Sequence, residues 1–404
     1  MFRVTQYLQE LENPTPLRTK REPKAPVVIW NLIRRCNLTC KHCYSGSTNV
    51  DFPGELSTDE VCRTMDDLAA FGVPVLILSG GEPLMRPDIF EISARAKRMG
   101  FYVGLSTNGT LIDGATAERI AEIDYNYVGI SLDGIGATHD RFRGEPGAFD
   151  NALAGVRRCV ANGTKVGLRM TITAETAHEL PEILELMQAE RVDKLYVSHL
   201  NYGGRGNKNR GTDAHFRMTR EAMDRIFAAA RDSVRNDAKP KEFVTGNNDA
   251  DGAYLLLWAA ERYPAERVAH LRAKLEQWGG NASGRNVANI DNLGNVHPDT
   301  FWWHHTLGNV RRRPFSEIWP DTSDPLMAGL KQHPRPVTGR CAECRFLDLC
   351  NGNTRVRAEQ ITGDPWAEDP GCYLDDAEIG VAEGTRKVPM APYLGRRKYV
   401  AVEG

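Results

Sequence analysis

The sequence predicts an α/β chain: an open, partial (β/α)6 barrel followed by a smaller, loop-rich domain built around a second set of cysteines. Three observations carry this. Six short β-branched or apolar runs alternate with helical segments between residues 27 and 200, which implies a parallel sheet with right-handed crossovers. Six units fall short of the eight that close a full barrel, so the barrel is open; a doubly wound α/β sheet is the alternative. From about residue 236 the alternation stops, and four of the nine cysteines lie in what remains.

The elements follow in order. Residues 1–25 are polar, carry Pro14, Pro16 and Pro23, and read as an irregular leader. The six strand runs are VVIWNL (27–32), VLILS (75–79), YVGLST (102–107), YVGISL (127–132), KVGLRMTI (165–172) and KLYVSHL (194–200). Ser57 with Glu60 three residues later forms a capping-box pattern that opens the first helix. The next helix runs from Asp88 to Met99 and stops at Gly100. Further helical patterns cover 115–122, 149–161, 181–190 and 219–235, closing a barrel of residues 26–235. A helical linker over 236–284 contains a long pattern near 253–278 interrupted at Pro264, then the flexible run GGNASG. RNVANIDNLGNVHPD (285–299) reads as a β-hairpin turning at Asn292–Asn295 and opens the cysteine domain, 285–385. The tail, 386–404, is basic and carries no motif.

Composition excludes several classes. The 51 basic and 53 acidic residues nearly balance, so no footprint for nucleic acid is visible. No apolar stretch approaches the ~20 residues of a membrane span; YLLLWAA (254–260) comes nearest and reads as buried helix. The N-terminus lacks the charged-then-apolar pattern of a signal peptide. An odd number of cysteines, seven of them in two ligand-like groups, argues against a secreted disulfide framework. The expected compartment is the reducing cytoplasm.

The first group is Cys36, Cys40 and Cys43 in RRCNLTCKHCYSG, just after the first strand. A cubane cluster in an ordinary electron carrier takes one cysteine per iron. Three local thiolates leave one iron open to bind something else. Zinc and plain buried thiols are the competing readings, although zinc sites usually pair two local ligands with two distant ones. Further motifs gather at the C-terminal strand ends, where barrel ligands sit. Gly80, Gly81, Glu82 and Pro83 follow the second strand, Ser106 and Asn108 end the third, and Ser131 and Asp133 end the fourth. GGEP alone also suits a simple turn. The polar residues also suit helix caps.

The spacing C-x3-C-x2-C with His42 before the last cysteine resembles the signature of radical S-adenosylmethionine (SAM) enzymes. The resemblance implies that the open iron binds the amino and carboxylate groups of SAM. One electron then cleaves SAM to methionine and a 5′-deoxyadenosyl radical. It implies further that the GGEP glycines let the backbone approach the SAM amino group, and that Glu82 accepts from the ammonium or a ribose hydroxyl. Ser106, Asn108, Ser131 and Asp133 would meet ribose and carboxylate, and His42 would lie near the adenine. Arg143, in HDRFRG, is suited to a two-pronged contact with the SAM carboxylate; a solvated arginine is the plain alternative. Arg169 on the fifth strand is placed to face the barrel interior. His199, ending the sixth, reads as an ordinary hydrogen-bonded histidine, and Cys62 and Cys159 as inert buried thiols.

The second group is Cys341, Cys344, Cys350 and Cys372. Four thiolates fully coordinate a cubane or a structural zinc. The region and its preceding hairpin resemble the C-terminal domain of the SPASM/Twitch subgroup, which implies an auxiliary 4Fe-4S cluster. In two-cluster members a cysteine follows the hairpin as G-x-V-x-P-C; here Gly294-Asn295-Val296-His297-Pro298 leads to Asp299. One auxiliary cluster is therefore expected, giving two 4Fe-4S clusters in all. Between hairpin and cysteines, His297, Trp302, Trp303, His304, His305 and Arg311, Arg312, Arg313 crowd into one segment. An aromatic plug with a solvated basic turn is one reading. The other is a substrate site in which imidazole ligates iron, indole stacks and guanidinium clamps carboxylates.

The order of leader, RRCNLTCKHCYSGS, LILSGGEPLMRPDIF, HPDTFWWHHTLGNV and CAECRFLDLCNGNTRVR resembles the heme d1 biosynthesis radical SAM proteins (the NirJ family). That resemblance implies a tetrapyrrole substrate, 12,18-didecarboxysiroheme, and loss of two of its propionate side chains. It also implies an electron donor such as a flavodoxin or ferredoxin. The competing functions are a peptide-modifying SPASM maturase, another heme-pathway radical SAM decarboxylase, and a non-enzymatic iron–sulfur carrier.

Overall fold

A computed structural model of the chain describes residues 1–17 and 25–388. Strands β1 (Val27–Asn31), β2 (Val75–Ser79), β3 (Tyr102–Thr107), β4 (Tyr127–Ser131), β5 (Val166–Ile172) and β6 (Lys194–His199) lie side by side, all parallel, in sequence order. Each falls on one of the six expected runs. Val28, Leu76, Val103, Val128, Leu168 and Leu195 are fully buried, the continuous apolar content of strands covered by helices.

The sheet is wider than six strands. β7 (Glu242–Gly246) adds in parallel beyond β6, and β8 (Val287–Ile290) adds in parallel on the other side of β1. β9 (Asn295–His297) and β10 (Gly308–Asn309) continue antiparallel from β8. The described strands form one ten-stranded sheet, open between β7 and β10. This corrects two expectations. The stretch 236–284 is not only helical, because EFVTG pairs with β6. The hairpin at 287–297 extends the barrel sheet and turns at Asp291–Gly294, where the Asp291 carboxylate accepts from the Leu293 and Asn295 N–H groups.

The N-terminus is also ordered. Residues 4–12 form helix α1 (Val4–Glu12), with Val4, Leu8 and Leu11 fully buried. These positions recur at i, i+4 and i+7, one face of a helix. The expected irregular leader therefore begins with a docked helix; residues 18–24 and the tail 389–404 lie outside the described residues. The crossovers are α2 (Thr58–Phe71), α3 (Ile89–Arg98), α4 (Gly114–Ile123), α5 (Ala137–Arg143), α6 (Ala148–Ala161) and α7 (Leu180–Ala189). The Ser57–Glu60 capping box is present at α2. Beyond β6 come α8 (Gly204–Lys208), α9 (Phe216–Asn236), α10 (Ala250–Ala260) and α11 (Ala265–Trp278), the last two separated at Pro264 as expected. α1 packs on α9, α11 and β7. Among the described residues no helix is long and apolar enough to cross a membrane.

The GGNASG run is not a free link. Gly280 sits at φ +70° and a Cβ there would lie 2.3 Å from the Cys350 carbonyl carbon. Ser283 is buried and donates to Asp299. The C-terminal region carries only short helices, among them α12 (Phe315–Ile318), α13 (Pro325–Leu330), α14 (Leu347–Cys350), α15 (Arg355–Thr362) and α16 (Asp376–Ile379).

Candidate active site

The cysteine loop leaves β1 and is gripped on three sides by backbone. Gly81 and Glu82, after β2, donate their N–H groups to the carbonyls of Ile33 (2.7 Å) and Arg35 (2.9 Å). Thr39 and Lys41 donate to Arg143 and Phe142 at the end of α5. Arg205, in α8 after β6, donates its N–H to the Cys43 carbonyl and its Nε to the Cys40 carbonyl, at 2.8 and 2.7 Å. Asn209 Nδ2 donates to the Lys41 carbonyl. Such close approach requires glycine. A Cβ on Gly81 would lie 2.2 Å from the Arg35 oxygen, one on Gly204 2.3 Å from the Tyr44 oxygen. The GGEP glycines therefore seat the cysteine loop, rather than simply opening space for a ligand. The clamp from NYGGRGNKNRG (201–211) escaped the motif reading, although its place after a strand end was a usable signal.

Glu82 is fully buried and holds three donors: Thr107 Oγ1 (2.7 Å), the Asn108 N–H (2.8 Å) and the Leu84 N–H (3.0 Å). Burial pushes its carboxyl above the usual range, against those hydrogen bonds. These bonds make Glu82 a bracket between β2 and β3, and Pro83, also buried, starts a short turn behind it. Asn108 is likewise engaged. Its amide donates to Asn37 Oδ1 at 2.9 Å and lies 3.9 Å from Cys36 Sγ, while its oxygen accepts from Thr110.

Asp133 and Arg143 pair with each other, both buried. Burial alone would raise the Asp133 carboxyl, but the guanidinium against it holds it below the usual carboxylate range. Arg143 Nη1 also reaches Cys40 Sγ at 3.6 Å, and its Nε is buried with no partner. Ser106 accepts from Arg169, whose guanidinium stands 5.2 Å from the Tyr196 ring. Ser131, half-buried, pairs in register with Arg169. His42 stacks on Phe142 at 4.7 Å; burial lowers its pKa to about 4, and its Nδ1 has no partner. Arg205 Nη2 and Asn201 Nδ2 are buried donors without acceptors as well.

The three thiols fit a cubane. Cys36 and Cys40 are buried, and Cys36 is pushed up to about 12 by burial and by Glu82. Thiolates there need the positive charge that iron supplies. The unpartnered groups of His42, Arg143, Asn201 and Arg205 around the loop suit a polar ligand such as SAM.

The second group also assembles. Cys341, Cys344, Cys350 and Cys372 crowd one another: burial, then the neighbouring thiols, push Cys350 well above its usual range. Burial likewise takes Cys341 to about 11 and Cys344 to about 12. The Asp369 and Phe346 N–H groups donate to Cys341 and Cys344 Sγ at 3.5 and 3.3 Å. Among the described residues no three Cys, His, Asp or Glu side chains close to the spacing of a single metal ion. Cys159 is buried, while Cys62 is half-buried on α2.

The 295–313 segment contradicts its substrate reading in part. His297 is fully buried with both ring nitrogens engaged, Nδ1 with the His305 carbonyl (2.8 Å) and Nε2 with Asp291 (3.3 Å). It is not free to ligate iron. His304 and His305 pair through Nε2 with Glu359 (2.6 Å) and Asp324 (2.9 Å). Arg311 pairs with Glu60 at the start of α2, Arg313 pairs with Asp321, and Arg312 is exposed. Two arginines of the basic run thus stand in surface ion pairs. Trp302 is core; Trp303 stacks on His297 and meets Tyr44 edge-on. His199 is hydrogen-bonded to Asp251 at 3.0 Å, as the plain reading expects.

Residues 30–187 match the model of the radical SAM superfamily. The chain is 55% identical over 397 residues, 98% of both chains, to a pre-heme d1 synthase of Dinoroseobacter shibae. It is 46% identical over 374 residues, 92% of this chain and 93% of the relative, to an Fe-coproporphyrin III synthase of Methanosarcina barkeri. The fold resembles SAM-bound SuiB of Streptococcus suis, with a TM-score of 0.67 at 18% identity over 86% of this chain and 76% of that one. By its clamped three-cysteine loop and these near-full-length relatives, the chain belongs to the radical SAM superfamily.

Proposed function

We propose that the enzyme acts in heme d1 biosynthesis and removes two propionate side chains from 12,18-didecarboxysiroheme. The observation that supports this most is the 55% identity to a pre-heme d1 synthase across the whole chain. A SAM-ligated 4Fe-4S cluster at Cys36, Cys40 and Cys43 supplies a 5′-deoxyadenosyl radical for hydrogen abstraction. The protein's part is positioning. Gly80, Gly81, Arg205 and Glu82 fix the cysteine loop, and Asp133, Arg143, Ser131 and His42 line the SAM side. Among the described residues the guanidiniums of Arg169 and Arg34 pair with no carboxylate: Arg169 donates to Ser106, and Arg34, whose backbone N–H donates to Glu55, turns its Nε to the Ser45 carbonyl with its guanidinium over the Phe52 and Trp303 rings. These two meet the substrate carboxylates in place of Arg311–Arg313. Cys341, Cys344, Cys350 and Cys372 hold a second 4Fe-4S cluster, and a small electron carrier reduces the enzyme in the cytoplasm.

The test is anaerobic incubation with SAM, dithionite and 12,18-didecarboxysiroheme. The expected product has lost two propionates, alongside 5′-deoxyadenosine. Substrate recovered unchanged while SAM is cleaved, or turnover of a peptide in its place, would overturn the assignment. Arg169→Ala should weaken tetrapyrrole binding, read by absorption titration, while sparing iron content.

A further inference from the structure

The C-terminal region that holds the four cysteines also buries four guanidiniums. Arg335, Arg340, Arg355 and Arg357 are each 2% exposed or less. Arg357 makes a two-pronged pair with Asp369 at 3.0 and 2.8 Å, and Arg340 pairs with Asp376 at 2.9 Å. Arg335 is spent on Asn281 and on the carbonyls of Leu330 and Ser283. Arg355 differs. It opens α15, five residues after Cys350, and its Nη1 donates to the carbonyls of Pro365 and Ala367 at 3.2 and 2.5 Å. Among the described residues its Nε and Nη2 are buried with no hydrogen-bond partner and no carboxylate forms an ion pair with it, although its charge also acts on the Asp369 carboxylate that Arg357 holds. Its positive charge bears on the Cys341 thiol and opposes the effect of burial there. Arg386 repeats the pattern on another side: Nη2 donates to the Cys372 carbonyl at 3.0 Å, and Nη1 is buried without a partner.

A buried charged donor with no acceptor is costly. Here three such N–H groups belong to two guanidiniums, one whose charge bears on Cys341 and one bonded to the Cys372 backbone. Resting on the assignment of this site to iron and sulfur, we propose that Arg355, seconded by Arg386, donates to a sulfur of the 4Fe-4S cluster held there and makes that cluster easier to reduce. With four thiolates the cluster carries a net charge of −2 oxidised and −3 after gaining one electron. A fixed cation and N–H···S contacts favour the more negative form. The electron in the test comes from dithionite, and no proton moves.

The experiment is an EPR-monitored redox titration of the full chain carrying both clusters. The variant with Cys36, Cys40 and Cys43 replaced by Ala identifies which signal belongs to the second site. Arg355→Gln should lower the reduction equilibrium of that cluster about tenfold, ~59 mV for one electron. Arg355→Lys should recover part of the shift, and Arg386→Gln should give a smaller one. Thermal melts supply an independent readout. Arg355→Met should melt above wild type without iron, where the cation lacks an acceptor, and below it with iron; a lower melting point in both forms overturns the proposal. So do unchanged midpoints in the variants that hold iron. Four irons with stoichiometric zinc in the wild type would remove the cluster assignment itself, whereas about eight irons with unmoved midpoints would remove only this role of Arg355.

Discussion

Glu82 shows how a single residue carries different information in sequence and in structure. Its carboxylate is fully buried and accepts three hydrogen bonds that join β2 to β3 under the cysteine loop. Replacing it with Gln turns one acceptor into a donor facing N–H or O–H groups, which costs about 1–3 kcal/mol for the unsatisfied group. Glu82→Gln should lower the melting temperature and reduce iron uptake at the first site even without SAM; wild-type stability in a thermal melt would contradict the bracket role. Gly81→Ala should be worse, because backbone and not a flexible side chain lies 2.2 Å from the added Cβ. The cysteines and GGEP were legible because their chemistry is local. The tasks of Glu82, Asn108 and Arg311 were not, because their partners Thr107 in β3, Asn37 in the cysteine loop and Glu60 in α2 come from distant elements that only the fold brings near.

At the scale of elements, the six barrel strands were legible from apolar runs and the punctuation between them. β7 was not, because EFVTG is short and carries polar residues at a sheet flank, and VANI was legible as a hairpin strand but not as a parallel partner of β1. Helix α1 was passed over because the polar stretch that contains it goes on to Pro14, Pro16 and Pro23, although Val4, Leu8 and Leu11 mark one buried face. Leu8→Ala should cost about 2–5 kcal/mol, the range for large-to-small changes in a packed core, measured by chemical denaturation. Glu10 links α1 to α11 through His270 (3.0 Å) and Lys274 (3.2 Å). Burial would raise its pKa, but those bonds and the ones from Thr15 outweigh it and bring it from 4.5 to about 2. A carboxyl lowered on folding contributes stability above its unfolded value, and that stability is lost as pH falls through the folded value. Hydrogen exchange on the apo chain should therefore show α1 loosening between about pH 4.5 and 2 ahead of the barrel strands. Equal loosening in Glu10→Gln across that range would assign the effect elsewhere.

Over the whole molecule, the barrel and the C-terminal cysteine region are built as one body. β8 belongs to the sheet yet is supplied from beyond residue 284, so a chain ending at 284 should fail to give a soluble, cooperatively melting barrel. Buried polar ties continue the join. Asn248 and Asn353 bond at 2.6 Å, Arg357 donates to the Asn247 carbonyl at 2.9 Å, and Asp251 binds both His199 and Tyr373, the residue after Cys372. The proposed second cluster therefore lies against the end of β6, on the barrel side where the first is clamped. With four cysteines it has no open iron for substrate, which fits passing electrons and not positioning a tetrapyrrole. Two roles so divided make a separable prediction. Cys344→Ala, in a half-buried turn that none of these ties uses, should leave reductive SAM cleavage without substrate near wild type, because Cys36, Cys40 and Cys43 and their clamps are untouched. It should slow formation of the tetrapyrrole product at least tenfold, followed by anaerobic product analysis. Loss of both activities together, in a variant that still holds about four irons and melts cooperatively, would show that the second cluster serves the first in cleaving SAM.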